Sequence, residues 1–144
     1  MKLTNHVKII LPAIVGNEGF ARAAVAAFCA SLSPSLEEIN DIKTAVSEAV
    51  TNVIVHAYPE RSGEVEIEVA IYDEKMISVI ITDQGIGVAD TEQAKKPFFT
   101  TKSAEEHSGM GFTIMEAFMD ELDVRSEVGR GTRIAMRKVI KQHA

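Results

Sequence analysis

An α+β fold, built as a two-layer sandwich with a mostly antiparallel sheet covered on one face by helices, is what the sequence predicts from three observations. Val65, Ile67, Val69 and Ile71 alternate with Glu64, Glu66, Glu68 and Ala70, the signature of a strand with one wet face. Two stretches of strong helix formers, opening near Asn17 and Ser35, come before that strand. Helices and strands then follow in mixed order, without the regular alternation of a parallel α/β sheet.

The elements are justified in turn. Leu3 to Leu11 reads as a strand, closed by Pro12. Asn17 is the expected N-cap of a first helix through GFARAAVAAFCASL, broken by Ser33-Pro34. A second helix opens at Ser35, where S-L-E-E forms a capping box with Glu38, and is expected to run to about Ala57. Ile39, Ile42, Val46, Ala49, Val50 and Val53 form its apolar stripe, with Glu48 and Asn52 on the opposite flank. PERSG turns the chain into the alternating strand, and Asp73-Glu74-Lys75 turns it again into MISVIITD. There Asp83 shares parity with Ile77, Val79 and Ile81, so it points to the covered side. Residues 90–110 are expected to form a lid or binding loop, with a short helical stretch from Thr91 to Lys95. A third helix from Gly109 or Met110 to about Met119 precedes two strands, ELDVRSE and GTRIAMRKV, joined by Val128-Gly129-Arg130-Gly131. Thr132 has the parity of Ile134 and Met136 and should face the covered side too.

Bulk properties narrow the function classes. At 144 residues and 46% hydrophobic content the chain reads as one folded domain, 1–144. A net charge of −6 argues against a nucleic-acid binder held by phosphate neutralisation and favours protein partners. No apolar run approaches the roughly 20 residues that span a bilayer, so no membrane partner is expected. The single Cys29 cannot close an internal disulfide, which fits a reducing, cytoplasmic setting; it reads as a small core residue, and Met110, Met115 and Met119 read as core packing.

Three motifs carry chemistry. In SEAVTNVIVHAY, Glu48 and Asn52 fall on one helix side, offset by about 40°. That sets a potential base beside a metal-coordinating amide. Asp83-Gln84-Gly85-Ile86-Gly87 ends a strand with two glycines, allowing a flat heterocycle to approach the backbone. Ser108-Gly109-Met110-Gly111 opens a helix with unpaired N–H groups suited to an anion. Taken singly, DQGIG is a common turn and Glu48 a solvated helix residue. In this order and spacing they point to Mg-ATP. His56 can contribute to the pocket or cap the helix end, where a cation meets the dipole favourably.

The ordered set ExxxN, DxGxG, a variable lid, GMG and a late GT resembles the GHKL ATP-binding fold of histidine kinases, gyrase, heat-shock ATPases and mismatch-repair ATPases. Within it, NEGFARAAVAAF, IKTAVSEAVTN, PFFTTK and SGMGFTIMEAFMD are similar to the SpoIIAB type of anti-sigma F factors, related to RsbW-type anti-sigma serine kinases. The resemblance implies ATP/ADP and Mg2+ as ligands, Asn52 on the metal, Glu48 as general base and Asp83 on the adenine amino group. It also implies close approach at Gly85 and Gly87, support from Thr132, and phosphate contacts from Gly109, Met110 and Gly111, with Ser108 and Lys102 from the lid. Its implied partners are sigma factor F and the anti-anti-sigma factor SpoIIAA, whose serine would be phosphorylated, with Arg22 and Glu18 on the partner surface of a homodimer that has the N-terminal strand as its possible edge. His107 stands where the family often has Arg, so a contact at that position would become pH-sensitive. Two other classes stay open: a nucleotide-gated binding module without catalysis, and the catalytic domain of a histidine kinase. Against the latter, no segment resembles a helical hairpin bearing a phosphoacceptor His.

Overall fold

The computed structural model describes residues 1–88 and 111–141. Five strands, β1 (Leu3–Pro12), β2 (Glu64–Tyr72), β3 (Met76–Asp83), β4 (Glu121–Glu127) and β5 (Gly131–Val139), form one sheet in the order β1-β2-β3-β5-β4. Every neighbouring pair is antiparallel. Helices α1 (Asn17–Cys29), α2 (Leu36–Asn52) and α3 (Gly111–Phe118) cover one face. The predicted lid, with Phe98, Phe99, Lys102, His107, Ser108, Gly109 and Met110, lies outside the described residues, as does the predicted start of the third helix.

Period-2 patterning sets the sheet's buried face. Val65, Ile67, Val69 and Ile71 of β2, Ile77, Val79 and Ile81 of β3, and Ile134 and Met136 of β5 are all buried. They meet Val25 and Cys29 of α1, Ile42, Val46, Ala49 and Val50 of α2, and Met115 of α3. Ala45 joins the α2 stripe, whereas Ile39 is only half-buried. Cys29 is fully covered, and burial pushes its thiol up to about 12, so it packs as a small apolar group and is not a nucleophile at neutral pH. The opposite sheet face is largely polar, with Ile10 and Val139 exposed among its charged residues. There Lys8 lies 3.3 Å from Glu66 and His6 3.7 Å from Glu68, exposed pairs that contribute little stability.

Two helix boundaries differ from the sequence reading. Asn17 does not cap α1; it is the first helical residue, and its Nδ2 donates to the Pro12 carbonyl at 2.8 Å, which anchors the turn after β1. The second helix does not stay α-helical to Ala57: after Asn52 it widens into a π-helical turn, Val53–Ala57. This change coincides with the β-branched run Val53-Ile54-Val55, whose side chains crowd the preceding turn.

Glu38 joins the start of α2 to the end of β5. Its N–H donates to Ser35 Oγ at 3.0 Å and its Oε1 accepts the Ser35 N–H at 2.8 Å, the predicted capping box. Its Oε2 accepts the N–H of Lys141 at 2.9 Å. Within β5 itself, Lys138 donates to the Phe118 carbonyl at the end of α3 at 2.8 Å and lies 3.4 Å from Asp41 of α2. The two residues thus fasten the helical layer to the last strand. Replacing Glu38 by Ala keeps the Ser35 cap, whose donor is main chain, but deprives the N–H groups of Ser35 and Lys141 of their carboxylate acceptor, so unfolding in urea should show a loss of about 2 kcal/mol. A loss below about 0.5 kcal/mol would show that Glu38 has no fastening role.

Candidate functional site

The site is built where α2 ends and β3 ends. The last turns of α2 carry Glu48 and Asn52, both half-buried, one helical turn apart. The π-helical turn then brings the Ala57 carbonyl against the Asp83–Gly87 segment, where it accepts the Ile86 N–H at 2.9 Å. A Cβ at Gly85 would lie 2.2 Å from that same carbonyl oxygen, so glycine is required here by the protein's own backbone. Gly87 is required twice over. Its φ is +70°, and a Cβ there would lie 2.3 Å from the Glu127 carbonyl oxygen. The two glycines let three backbone segments meet, a tighter constraint than the approach of a ligand expected from sequence.

Asp83 is the centre of this junction. It is 6% exposed, and its Oδ1 accepts the N–H of Gly85 at 2.9 Å and that of Thr132 at 3.3 Å. Both bonds fall on one oxygen. The carboxylate is therefore fixed in direction, and among the described residues no donor is seen on Oδ2, which has lone pairs to accept one. Thr132 faces Asp83 directly in the β3–β5 register, so its contribution comes through the main chain. Its hydroxyl is 2.8 Å from Ser126 Oγ, which also accepts the Val88 N–H at 2.7 Å.

Asp83, Gly85 and Thr132 thus form one hydrogen-bonded unit, with Gly87 close against the Glu127 carbonyl beside it, joined through Ala57 to the helix of Glu48 and Asn52. Gly111 is buried at the described start of α3, which packs on α2. His56 sits half-buried within the π-helical turn. Glu18 and Arg22 lie apart from this unit on α1, 3.8 Å from each other, and Glu18 accepts a hydrogen bond from Ser47 of α2.

Sequence reasoning missed Ser126, Gly131, Tyr58 and Arg61. Gly131 has φ +109°, and a Cβ there would lie 2.0 Å from the Asp83 carbonyl oxygen. For Ser126 the signal was available, since the short VGRG turn places it across from Thr132. For Tyr58 and Arg61 no local pattern exists; their partner, Gln84, is remote in sequence.

Burial pushes the Asp83 carboxyl above the ordinary carboxylate value, opposed by the two backbone N–H groups. A raised folded-state value means that Asp83 favours folding at low pH, and that this contribution is lost as pH rises through the raised value. Asp83→Asn keeps an oxygen for both N–H groups without a charge to bury. Its thermal unfolding midpoint, measured without ligand, should therefore gain on the wild type as pH rises from the carboxylate range to 7. A constant offset across that range would count against desolvation of the carboxylate.

Comparison with known proteins places this geometry. A family model described as the histidine kinase-like ATPase domain matches residues 12–138. An anti-sigma F factor of Caldanaerobacter subterraneus is 50% identical over 140 residues, 97% of each chain. One of Clostridium novyi is 56% identical over 126 residues, 87% of each chain. Among solved structures, the RsbU and RsbW domains of a Mycobacterium tuberculosis protein match with a TM-score of 0.66 at 20% identity, covering 94% of this chain and 32% of that one. The mycobacterial sensor histidine kinase MprB matches at 0.59 and 17%, covering 95% and 100%. These two share the fold. With curated relatives this similar along almost all of its length, the chain belongs to the anti-sigma F factor family of histidine kinase-like ATPases.

Proposed function

We propose that this chain is a cytoplasmic anti-sigma factor that binds sigma factor F and, with Mg-ATP as phosphoryl donor, phosphorylates a serine of the anti-anti-sigma protein SpoIIAA. The observation that carries the nucleotide reading is the Asp83 carboxylate, buried and oriented through Oδ1, with Oδ2 left to accept a hydrogen bond. An exocyclic adenine amino group has the matching chemistry. The relatives named anti-sigma F factor support the sigma partner.

The residues present fit the ligand. Asn52 offers a carboxamide oxygen to Mg2+, and Gly109, Met110 and Gly111 offer main-chain N–H groups to phosphate, with Ser108 and Lys102 beside them in sequence. Bound Mg-ATP supplies the transferable phosphoryl group and a cation that offsets its charge. Glu48, one turn from Asn52, takes the hydroxyl proton of the incoming serine onto its carboxylate, a role typically worth about 10²–10⁴-fold. Arg22 and Glu18 on α1 form part of the partner surface, and the active form is a homodimer.

Glu48→Gln keeps the shape of the side chain and removes its basicity. Calorimetry should find ATP affinity within about twofold of wild type, while transfer to the partner serine falls by about 10²-fold or more. Undiminished turnover would remove Glu48 from the base role. Wild-type protein that binds ATP and both partners yet leaves no phosphoserine would instead be a nucleotide-gated binding module. Arg22→Glu reverses a half-exposed charge and breaks the pair with Glu18; pull-down of both partners should weaken at least tenfold with ATP binding intact. Unaltered capture of both would rule out that surface.

A further inference from the structure

The loop that follows the π-helical turn runs from Tyr58 to Gly63, and its PERSG stretch reads in sequence as a turn and nothing more. In the fold it grips Gln84, the residue between Asp83 and Gly85. The Tyr58 hydroxyl donates to the Glu64 carbonyl at 2.6 Å and accepts the Gln84 N–H at 2.8 Å. Arg61 lies with its guanidinium carbon 5.2 Å from the centre of the Tyr58 ring, and its Nη2 donates to the Gln84 carbonyl at 2.9 Å. Both main-chain polar groups of Gln84 are therefore taken by side chains of one loop.

The loop is shaped around this grip. A Cβ at Gly63 would lie 2.2 Å from the Tyr58 ring, so the ring occupies space that only glycine leaves open. Glu60 adopts φ +124°, a backbone conformation that L residues rarely take and that persists only where the surroundings impose it. Gln84 itself is exposed, and water would satisfy its N–H and C=O without help. Satisfying those groups does not account for a tyrosine and an arginine placed here. Their effect is directional. Each fixes one side of the Gln84 residue, the N–H of the Asp83–Gln84 peptide and the carbonyl of the Gln84–Gly85 peptide. The Gly85 N–H on that second peptide is one of the two donors that orient Asp83 Oδ1.

We infer that Tyr58 and Arg61 are positioning residues for the base end of the nucleotide site, fixing the Gln84 peptides and through them the direction of Asp83 Oδ2. The inference rests on the nucleotide reading given under Proposed function. The two residues touch no ligand; they act through Gln84 and Gly85, and so affect how well the base is held and not the transfer step.

Tyr58→Phe tests this by removing the hydroxyl while keeping the ring for Arg61 and for the space beside Gly63. ATP and tripolyphosphate, the latter a probe of the phosphate end alone, are titrated by calorimetry into both proteins, alongside steady-state phosphotransfer. The expected result is ATP affinity lowered by about three- to tenfold, the loss of one to two net hydrogen bonds, with tripolyphosphate affinity unchanged. KM for ATP should rise in step and kcat should stay. Arg61→Ala, at an exposed residue, should act in the same direction with a smaller effect, and Arg61→Lys should recover part of it. ATP affinity within twofold of wild type in both Tyr58→Phe and Arg61→Ala would overturn the inference, as would equal losses for ATP and tripolyphosphate. If Tyr58→Phe does not fold, the Arg61 pair decides. Wild-type protein that takes up neither probe would overturn the nucleotide reading itself and this inference with it.

Discussion

The contact between the Ala57 carbonyl and the Gly85–Ile86 peptide is the constraint on which the site depends. It closes only because α2 widens into a π-helical turn, which redirects the end of the helix toward the segment leaving β3. It also requires that residue 85 have no side chain, since a Cβ would overlap the same oxygen. The helix that carries Glu48 and Asn52 and the turn that carries Asp83 are thereby joined main chain to main chain. A second contact of the same kind, Gly129 N–H to the Ile86 carbonyl at 2.8 Å, extends the junction to the β4–β5 turn.

Two buried carboxylates show how the same chemistry serves different ends. Glu38 has main-chain N–H donors on both oxygens, from Ser35 and from Lys141, and its burial contributes to holding the layers together. Asp83 has both of its main-chain donors on one oxygen. Desolvating an ionised carboxylate is unfavourable unless its lone pairs are met. With both main-chain donors on one oxygen, burial outweighs them and raises the Asp83 carboxyl value, so this group's contribution favours folding at lower pH.

Much of this was legible in the sequence because it depends on periodicity. Alternation in β2 and β3 put the right residues on the covered face, and the parity of Asp83 with Ile81 foretold its burial. The capping box at Ser35 and Glu38 is local chemistry and formed as read. What escaped notice depends on contacts between remote segments. Nothing near Asn17 reveals that its amide reaches back to Pro12 instead of capping the helix. The glycines of DQGIG could be seen as small, but the object they make room for, the Ala57 carbonyl, appears only once a π-helical turn is in place. Tyr58, at the end of the helix motif, and Arg61, in the PERSG turn, carried no signal because Gln84 is brought to them by the β2–β3 hairpin.

The junction at Ala57 also determines what a distant change in the core can do. Because the end of α2 and the turn after β3 are pinned to each other by main-chain atoms, a packing defect that slides α2 along its axis drags the turn in the same sense. Damage of that sort registers as a less durable fold whose site, while it lasts, keeps its internal proportions.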